Sequence, residues 1–588
     1  MKTNMILSAS GWRKVFAVSG DEQDHNPQIS QDDWALSAAC ASVFFDYLSQ
    51  KTGQECPVIA LGRDTRPTGT AIVSAMKHIL VKKGAVVQDT GYCSAPEIMA
   101  YAKKLDGFIY VSASHNPIGH NGIKFGINDG GVLNATENAK LVEALLAITD
   151  DDAKLQALVK DAQSCSSSAL HEIELNEKSS KHNALRAYED FICQTVTDSE
   201  NKEHQKDFFE MLDAQIRSKG FGVVCDFNGS SRAYCIDKEF FTTHGIDFYS
   251  LNEETIAHEI IPEAENLVYV AEGMEDLHRH NKNCNAFLGY MPDCDGDRGN
   301  IVYWDQKEDK PVILKAQEVF SLSVLAELTY SIWKNGSDPS FKPAVCVNCP
   351  TSMRIDEICR VLGAQVFRAE VGEANVVNLA REKREEGWNV RILGEGSNGG
   401  TITHPASVRD PLNTVFAIIK LLMMREDGLY EIWCKKAGIE YKTDFTLTDV
   451  LESLPVYTTT GVSEPRAILK VKKTDHAALK AAFQKVFESE WEKKKADLKK
   501  QYGIAGYEAV ITNGTKETRD VSDYSLSGKG GLKIIFKDDA DSPVAFIWMR
   551  GSGTEPVFRI MCDVKGDNAE EEKALLELET ELIKKADV

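Results

Sequence analysis

The first two-thirds of the chain repeats one unit: a short β-rich run, a turn rich in Gly or Asp, then a helical stretch. Pro57-Val58-Ile59-Ala60-Leu61 leads into Gly62-Arg63-Asp64, and Gly107-Phe108-Ile109-Tyr110-Val111 leads into Ser112-Ala113-Ser114. Gly222 to Asp226 follows the same plan, as does Val390 to Leu393 before Gly394-Glu395-Gly396. Such alternation predicts α/β units with mixed or parallel sheets, whose ligands collect at the loops that follow the strands. At 588 residues the chain is too long for one core, and typical domain size divides it into roughly four domains.

The last part has another rhythm. Leu479, Phe483, Val486, Phe487 and Trp491 mark one face of an amphipathic helix whose other face carries Lys493-Lys494-Lys495, read as solvated. Strand-like runs Leu532–Phe536 and Val544–Trp548 follow, then a helix burying Leu575, Leu576, Leu578, Leu582 and Ile583. This predicts an α+β domain of helices on a small sheet. Two stretches read as joints. Residues 149–182, with Asp150-Asp151-Asp152 and Ser164-Cys165-Ser166-Ser167-Ser168, predict a helix plus a flexible loop, and Arg425 to Leu454 leads into the last domain.

Charge and cysteine usage narrow the partners. Lys+Arg 67 against Asp+Glu 89 gives a net charge of −22, which argues against a nucleic-acid binder held by basic surface. A small phosphorylated substrate is still compatible, because screening limits the overall field to roughly 8 Å and local Arg and Lys decide such a site. No segment has signal-peptide or membrane-spanning character: Val415 to Met424 is short and interrupted by Lys420. Fourteen scattered cysteines, mostly in apolar runs, read as reduced thiols of a cytoplasmic protein. The one Cys-x-x-Cys, Cys346 with Cys349, lacks a second pair for zinc and reads as strand packing.

Four loops carry chemistry. In Ser112-Ala113-Ser114-His115-Asn116-Pro117, Ser114 needs a base or cation nearby to react; His115 adjoins it and Lys124 returns after a Gly-rich turn. Taken alone, the segment is equally a polar turn at a strand end. Asp293-Cys294-Asp295-Gly296-Asp297-Arg298 sets three carboxylates at alternate positions, a donor set for one hard cation such as Mg²⁺. An EF-hand would need Gly and Glu where Arg298 and Trp304 stand, and a phosphatase Asp-x-Asp-x-Thr loop would need Thr where Asp297 stands. Gly394 to Gly400 places Glu395 and Ser397 among glycines, suited to hydrogen bonding a polyol. Arg550-Gly551-Ser552-Gly553-Thr554-Glu555-Pro556, with Arg559, offers hydroxyls, backbone N–H groups and two guanidinium forks to a phosphate.

Taken in order, these loops resemble those of the α-D-phosphohexomutase superfamily, which includes phosphoglucomutase and phosphomannomutase. Ser114-His115-Asn116-Pro117 is similar to its phosphoserine loop and Asp293 to Arg298 to its Asp-Gly-Asp-Gly-Asp-Arg metal loop. Gly394 to Ser397 resembles its sugar-binding Gly-Glu-x-Ser, and Arg550 to Pro556 its Arg-x-Ser-Gly-Thr-Glu-Pro; Gly62 to Arg66 is also similar to a family segment. The resemblance implies an α/β protein of four domains around a central cleft: three related α/β domains with mixed sheets and a C-terminal α+β domain. The implied limits are 1–185 for the phosphoserine domain, 186–310 for metal, 311–440 for sugar and 441–588 for phosphate.

It also implies a phosphohexomutase, interconverting hexose 1-phosphate and hexose 6-phosphate of glucose or mannose through phosphorylated Ser114 and a bisphosphorylated sugar. Mg²⁺ would sit on Asp293, Asp295, Asp297 and a phosphate oxygen on Ser114, with hexose 1,6-bisphosphate as activator. Lys124 and His115 are implied for proton transfer and charge stabilisation, with Arg298 and Arg13 around the transferring group. Glu395, Ser397 and Asn398 would hold the sugar, and Arg550, Ser552, Gly553, Thr554 and Arg559 the non-reacting phosphate. The partner is a small phosphorylated sugar, with no nucleic acid or membrane, and the protein is a monomer or homodimer.

The pattern is not perfect. Cys294 replaces a Gly, Asn398-Gly399 stand where Gly-His is frequent, Ala9 and Lys14 flank the N-terminal segment where Thr and Gly are common, and Val371 to Asn375 lacks a lysine often found there. Phosphoglucosamine mutase is the runner-up; a Mg-dependent sugar phosphatase and a non-catalytic phosphosugar-binding protein are the readings from other classes.

Overall fold

Four β-sheets organise the protein in a computed structural model that describes residues 4–8, 11–254, 266–281, 283–397, 401–551 and 557–588. The first sheet contains β1 (Ile6–Ser8), β2 (Gly11–Val15), β3 (Val58–Arg63), β4 (Val86–Tyr92), β5 (Gly107–Val111) and β6 (His120–Ile127), in the order β1-β2-β6-β5-β3-β4. Its β3, β4 and β5 run parallel, whereas β6 is antiparallel to both β5 and β2. The second holds β7 (Gly222–Asp226), β8 (Asp247–Leu251), β9 (Ala286–Met291), β10 (Asn300–Asp305) and β11 (Lys310–Ile313), in the order β11-β10-β9-β7-β8. It too is mixed, with β7 parallel to β8 and β9 and β10 antiparallel to β9 and β11.

The third sheet consists of β12 (Pro343–Asn348), β13 (Gln365–Ala369), β14 (Asn389–Gly394) and β15 (Thr401–Thr403), with β12 parallel to β13 and β14. The fourth is antiparallel and built from β16 (Tyr457–Thr459), β17 (Ile468–Lys470), β18 (Gly506–Asn513), β19 (Lys516–Thr518), β20 (Gly531–Lys537), β21 (Pro543–Gly551) and β22 (Val557–Lys565). The α/β class with an α+β end therefore matches the sequence reading. The final sheet is larger than the two runs singled out, because β18 and β22 mix charged residues into otherwise buried strands.

The chain separates into two compact units, one of 1–314 with 402–419 and the other of 315–401 with 420–588. In the first, Trp12, Phe44 and Phe125 pack in the core of the first sheet, and buried Trp12 satisfies its indole N–H on Asn138 Oδ1 at 2.9 Å. Each such buried ring contributes about 1.5–3 kcal/mol relative to exposure. In the second, the helices His476–Tyr502 and Ala569–Ala586 cover one face of the last sheet through Leu479, Phe483, Leu575 and Leu582.

One expectation is corrected. Residues 149–182 are not a helix plus a flexible loop: they run from the end of the helix Ala135–Thr149 through the helix Asp152–Gln163 into the helix Ser167–Thr197, with short turns between. The polar residues that suggested a loop are caps: Asp151 accepts from the Ala153 and Lys154 amides, and Ser166 from the Ala169 amide. The long helix runs through residue 185, and β11 begins at Lys310, so two expected domain limits fall inside elements. The Arg425–Leu454 joint likewise contains helices Leu429–Ala437 and Leu447–Glu452. All fourteen cysteines are free, and Cys346 and Cys349 are buried at the third sheet.

Candidate active site

Ser114 lies in the loop after β5 with φ at 51°, a left-handed conformation that costs a non-glycine residue about 1–3 kcal/mol. The surrounding structure holds it there. Its amide donates to Ser112 Oγ at 2.8 Å, and buried Arg66 grips the loop carbonyls. Arg66 Nη2 donates to the carbonyls of Ser114 and Asn116, both at 2.5 Å; Nη1 donates to those of Pro117 and His120 at 2.5 and 3.1 Å. Asp64, also fully buried, places a carboxylate oxygen 3.2 Å from Arg66 Nε and receives the Arg66 amide.

The acidic loop joins β9 to β10. Gly296 takes a φ of 72°, and a Cβ there would lie 2.6 Å from the Arg232 side chain, so the turn requires glycine. Backbone contacts fix it: the Ala95 amide donates to the Asp295 carbonyl at 2.8 Å, and Ser231 donates its amide and hydroxyl to the Cys294 carbonyl. Cys294 thus holds the loop through its backbone carbonyl, and its side chain is buried.

These two loops meet. Ser114 Oγ donates to Asp293 Oδ2 at 2.8 Å, and Lys124, on β6, pairs with Asp295 Oδ2 at 2.7 Å. Arg409 donates to Asp297 Oδ2 at 2.7 Å, and Arg298 lies with Nε 3.9 Å from Asp293 and Nη2 3.2 Å from His115 Nδ1. Burial, against the attraction of Asp295 and Asp297 and together with Arg66, holds the Arg13 guanidinium, on β2, below its ordinary pKa. The structure therefore brings Ser114, His115, Lys124, Arg13, Arg298 and the three aspartates into one buried site.

The three aspartates offer one carboxylate oxygen each within 4.8 Å of one another. Burial, then the neighbouring Asp295 and Asp297, holds the Asp293 carboxyl well above its ordinary range. Burial pushes Asp295 the same way, but the Lys124 ammonium outweighs it and holds that carboxyl below its ordinary range. Among the described residues, Asp295 Oδ1 and Asp297 Oδ1 are buried and find no hydrogen-bond donor. Spare carboxylate oxygens converging beside a serine hydroxyl fit a small hard cation such as Mg²⁺. His115 is pushed down to about 3, first by burial and then by Arg298, Arg13 and Arg409, so its imidazole is neutral.

In the second unit, Glu395 is buried and tied: its Oε1 accepts from Asn348 Nδ2 at 3.0 Å and from the Gly372 amide at 2.7 Å. Ser397 is buried beyond it. Arg550 and Arg559 face each other across β21 and β22, which places both guanidinium stems on the same side of the sheet. Arg550 Nε lies 2.8 Å from Glu370 Oε1, while Glu370 Oε2 accepts from Thr512 Oγ1 and the Gly531 amide. Arg559 is exposed and donates to the Val462 carbonyl. Asn398, Ser552, Gly553 and Thr554 lie outside the described residues.

Four participants carried no assigned role in the sequence reading. Asp64 and Arg66 sit in a segment noted only for its similarity, and the alternation of Arg63-Asp64-Thr65-Arg66 after a strand was the available signal. Glu370 ends a strand run without a recognisable motif. Arg409 lies 112 residues beyond Asp297, in a stretch with no pattern of its own. It is placed by its neighbour Asp410, which accepts from Tyr188 Oη at 2.8 Å and pairs with buried Arg232 at 3.6 Å.

Comparison with known proteins gives the same family twice. Residues 11–152 match the model for the phosphoglucomutase/phosphomannomutase alpha/beta/alpha domain I, and residues 323–436 match that for domain III. The chain is 24% identical over 579 residues to a phosphoglucomutase/phosphomannomutase of Thermococcus kodakarensis, covering 97% of this chain and 99% of the relative. It is 26% identical over 462 residues to a phosphoglucosamine mutase of Thermodesulfovibrio yellowstonii, covering 78% of this chain and 84% of that one. Among solved structures, the phosphoglucomutase parafusin of Paramecium in its open form shares the fold, with a TM-score of 0.61, 15% identity and coverage of 98% and 96% of the two chains. A phosphoglucomutase/phosphomannomutase family protein from Burkholderia thailandensis aligns with a TM-score of 0.57 at 16% identity, covering 99% of this chain and 96% of that one.

Proposed function

This chain belongs to the α-D-phosphohexomutase superfamily and is a mutase of the phosphotransferase type, and on that premise we propose that it interconverts the 1- and 6-phosphates of a hexose through a phosphoserine at Ser114. The observation that carries the reading is the Ser114 Oγ–Asp293 Oδ2 hydrogen bond, which sets the hydroxyl at the edge of three clustered carboxylates. A serine hydroxyl there has acids and cations on every side, and a phosphoryl group on it would meet Lys124, Arg298, Arg409 and Arg13.

In the forward direction the bond between phosphorus and Ser114 Oγ breaks as a sugar hydroxyl oxygen bonds to phosphorus and gives up its proton. The bisphosphorylated sugar then returns its other phosphoryl group to Ser114 Oγ, and the oxygen it leaves regains a proton. Lys124 and His115 are the groups proposed to handle the proton and the developing charge. Asp293, Asp295 and Asp297 would hold Mg²⁺, which when bound neutralises charge on the phosphoryl group. Arg66 keeps the serine loop in its strained form, a positioning role. In the second unit we assign Glu395 and Ser397 to sugar hydroxyls and Arg550 and Arg559 to the non-reacting phosphate. Hexose 1,6-bisphosphate would charge the serine.

Glucose or mannose phosphate is the proposed substrate. Phosphoglucosamine is the second reading, favoured by the names of several relatives, including those of Thermodesulfovibrio yellowstonii and Methanococcus aeolicus. A turnover panel with glucose-, mannose- and glucosamine-phosphates tests both. Isomerisation of one of them is expected; release of inorganic phosphate in place of isomerisation would overturn the mutase reading in favour of a phosphatase.

A further inference from the structure

Strand β20 alternates between two environments. Leu532, Ile534 and Phe536 point into the core beneath the helices, while Lys533 and Ile535 point to the opposite face. On that second face Val510, Phe546, Trp548 and Met561 pack with Cys349, Met353 and Tyr457, and the register adds the charged Glu508 and Asp563 on neighbouring strands. Lys533 is buried among these side chains, 1% exposed, with its Nζ 4.1 Å from the Phe546 ring centroid.

A cavity of about 360 Å³ opens beside it, lined by Lys533, Val510, Ile535, Met353 and Tyr457 among others. Three carboxylates also line it, and each already has a cation. Asp356 pairs with Arg368 at 2.5 Å, Glu517 with Arg519 at 3.1 Å, and Glu357 with Lys565 at 2.5 Å. Among the described residues Lys533 makes neither an ion pair nor a hydrogen bond. Burying an ammonium without a partner costs several kcal/mol unless something fills the role. The chain meets part of that cost by holding Lys533 down at about 8, through burial first and then Arg368. Arg360, exposed at the same cavity, adds a second positive group.

We propose that this cavity binds a small organic acid, with its oxyanion on Lys533 Nζ and its apolar body against Val510, Ile535 and Met353. The volume falls within the range of small-molecule sites, and the five cations of the lining, Arg360, Arg368, Arg519, Lys533 and Lys565, outnumber its three paired carboxylates, which favours an anion. No residue lining the cavity is among those assigned above to phosphoryl transfer and substrate binding, and the inference does not depend on the mutase reading.

Calorimetric titration of the full chain with benzoate, phenyl phosphate and neutral benzamide tests it. The wild type is expected to bind at least one acid and not benzamide; benzoate or phenyl phosphate alone identifies the head group as carboxylate or phosphate. Arg550→Ala should leave this binding in place, separating it from phosphate held at the proposed reaction site. Lys533→Met should weaken it about tenfold or more, the scale of one charge-assisted hydrogen bond. Val510→Phe, which fills the cavity and keeps the lysine, should also abolish it, and covers the case in which Lys533→Met does not fold. Failure of the wild type to bind either acid, or unchanged affinity in whichever of the two variants folds, overturns the inference, and neither result touches isomerisation of hexose phosphates.

Discussion

Ser114 and Asp293 stand 179 positions apart in the chain, yet the serine Oγ donates to the aspartate carboxylate across 2.8 Å. The contact joins the loop after β5 to the loop between β9 and β10, within one compact unit. It turns a strained polar turn and an acidic turn into a single site where a serine hydroxyl, carboxylates and cationic side chains converge.

If the aspartates hold the metal, chelation should remove turnover and Mg²⁺ should restore it. Asp295→Ala should then lose the restoration, because one of the three metal carboxylates is gone; the buried Lys124 ammonium also loses its partner. Steady-state rates across a Mg²⁺ titration read this out; full activity of Asp295→Ala would remove the metal assignment.

Arg66 makes four bonds to carbonyls of 114–120 while paired with Asp64 in the interior. Arg66→Met strips those bonds and leaves Asp64 buried without its cation. Urea unfolding should show a loss of about 3–5 kcal/mol, and turnover of the remaining folded protein should fall as the Ser114 loop relaxes. An unchanged midpoint with unchanged turnover would contradict the positioning role.

Burial holds Asp410 up at about 6, against an ordinary value of 3.8, despite Arg232 and Tyr188. Between those two values the folded chain binds a proton that the unfolded chain releases. This group therefore costs stability as pH rises through the window, by about 3 kcal/mol at most, and costs nothing below it. Comparing unfolding free energies at about pH 4 and about pH 7, Asp410→Asn should show a shallower fall with pH than the wild type. Parallel profiles would contradict the assignment.

Arg550 is held by Glu370 and faces Arg559 across the strand pair. Arg550→Ala should raise KM for the sugar phosphate about tenfold or more, while changing the extent of Ser114 phosphorylation much less. The opposite pattern would remove its proposed role in holding substrate.

Much of this was legible from the chain. The β-run, turn, helix rhythm marks the α/β units, because alternate burial and turn chemistry are local properties. Asp293, Asp295 and Asp297 stand out because one turn contains all three. Arg409 and Glu370 are a different matter: each reaches its partner only through tertiary packing, and nothing beside them in sequence marks the contact. The 149–182 stretch misled for a physical reason. Serine and aspartate favour both loops and helix caps, and here they cap. Lys533 is hidden in the same way, since a lysine inside a strand reads as a solvent-facing residue until the second layer over it is known.

The central claim is that Ser114 carries the transferable phosphoryl group. Peptide mass analysis of the purified chain, before and after incubation with a hexose 1,6-bisphosphate, measures it directly. One phosphoryl group on the peptide containing Ser114 is expected, discharged by hexose monophosphate and absent from Ser114→Ala. A Ser114 peptide that never gains phosphate while the protein still isomerises hexose phosphates would contradict the account.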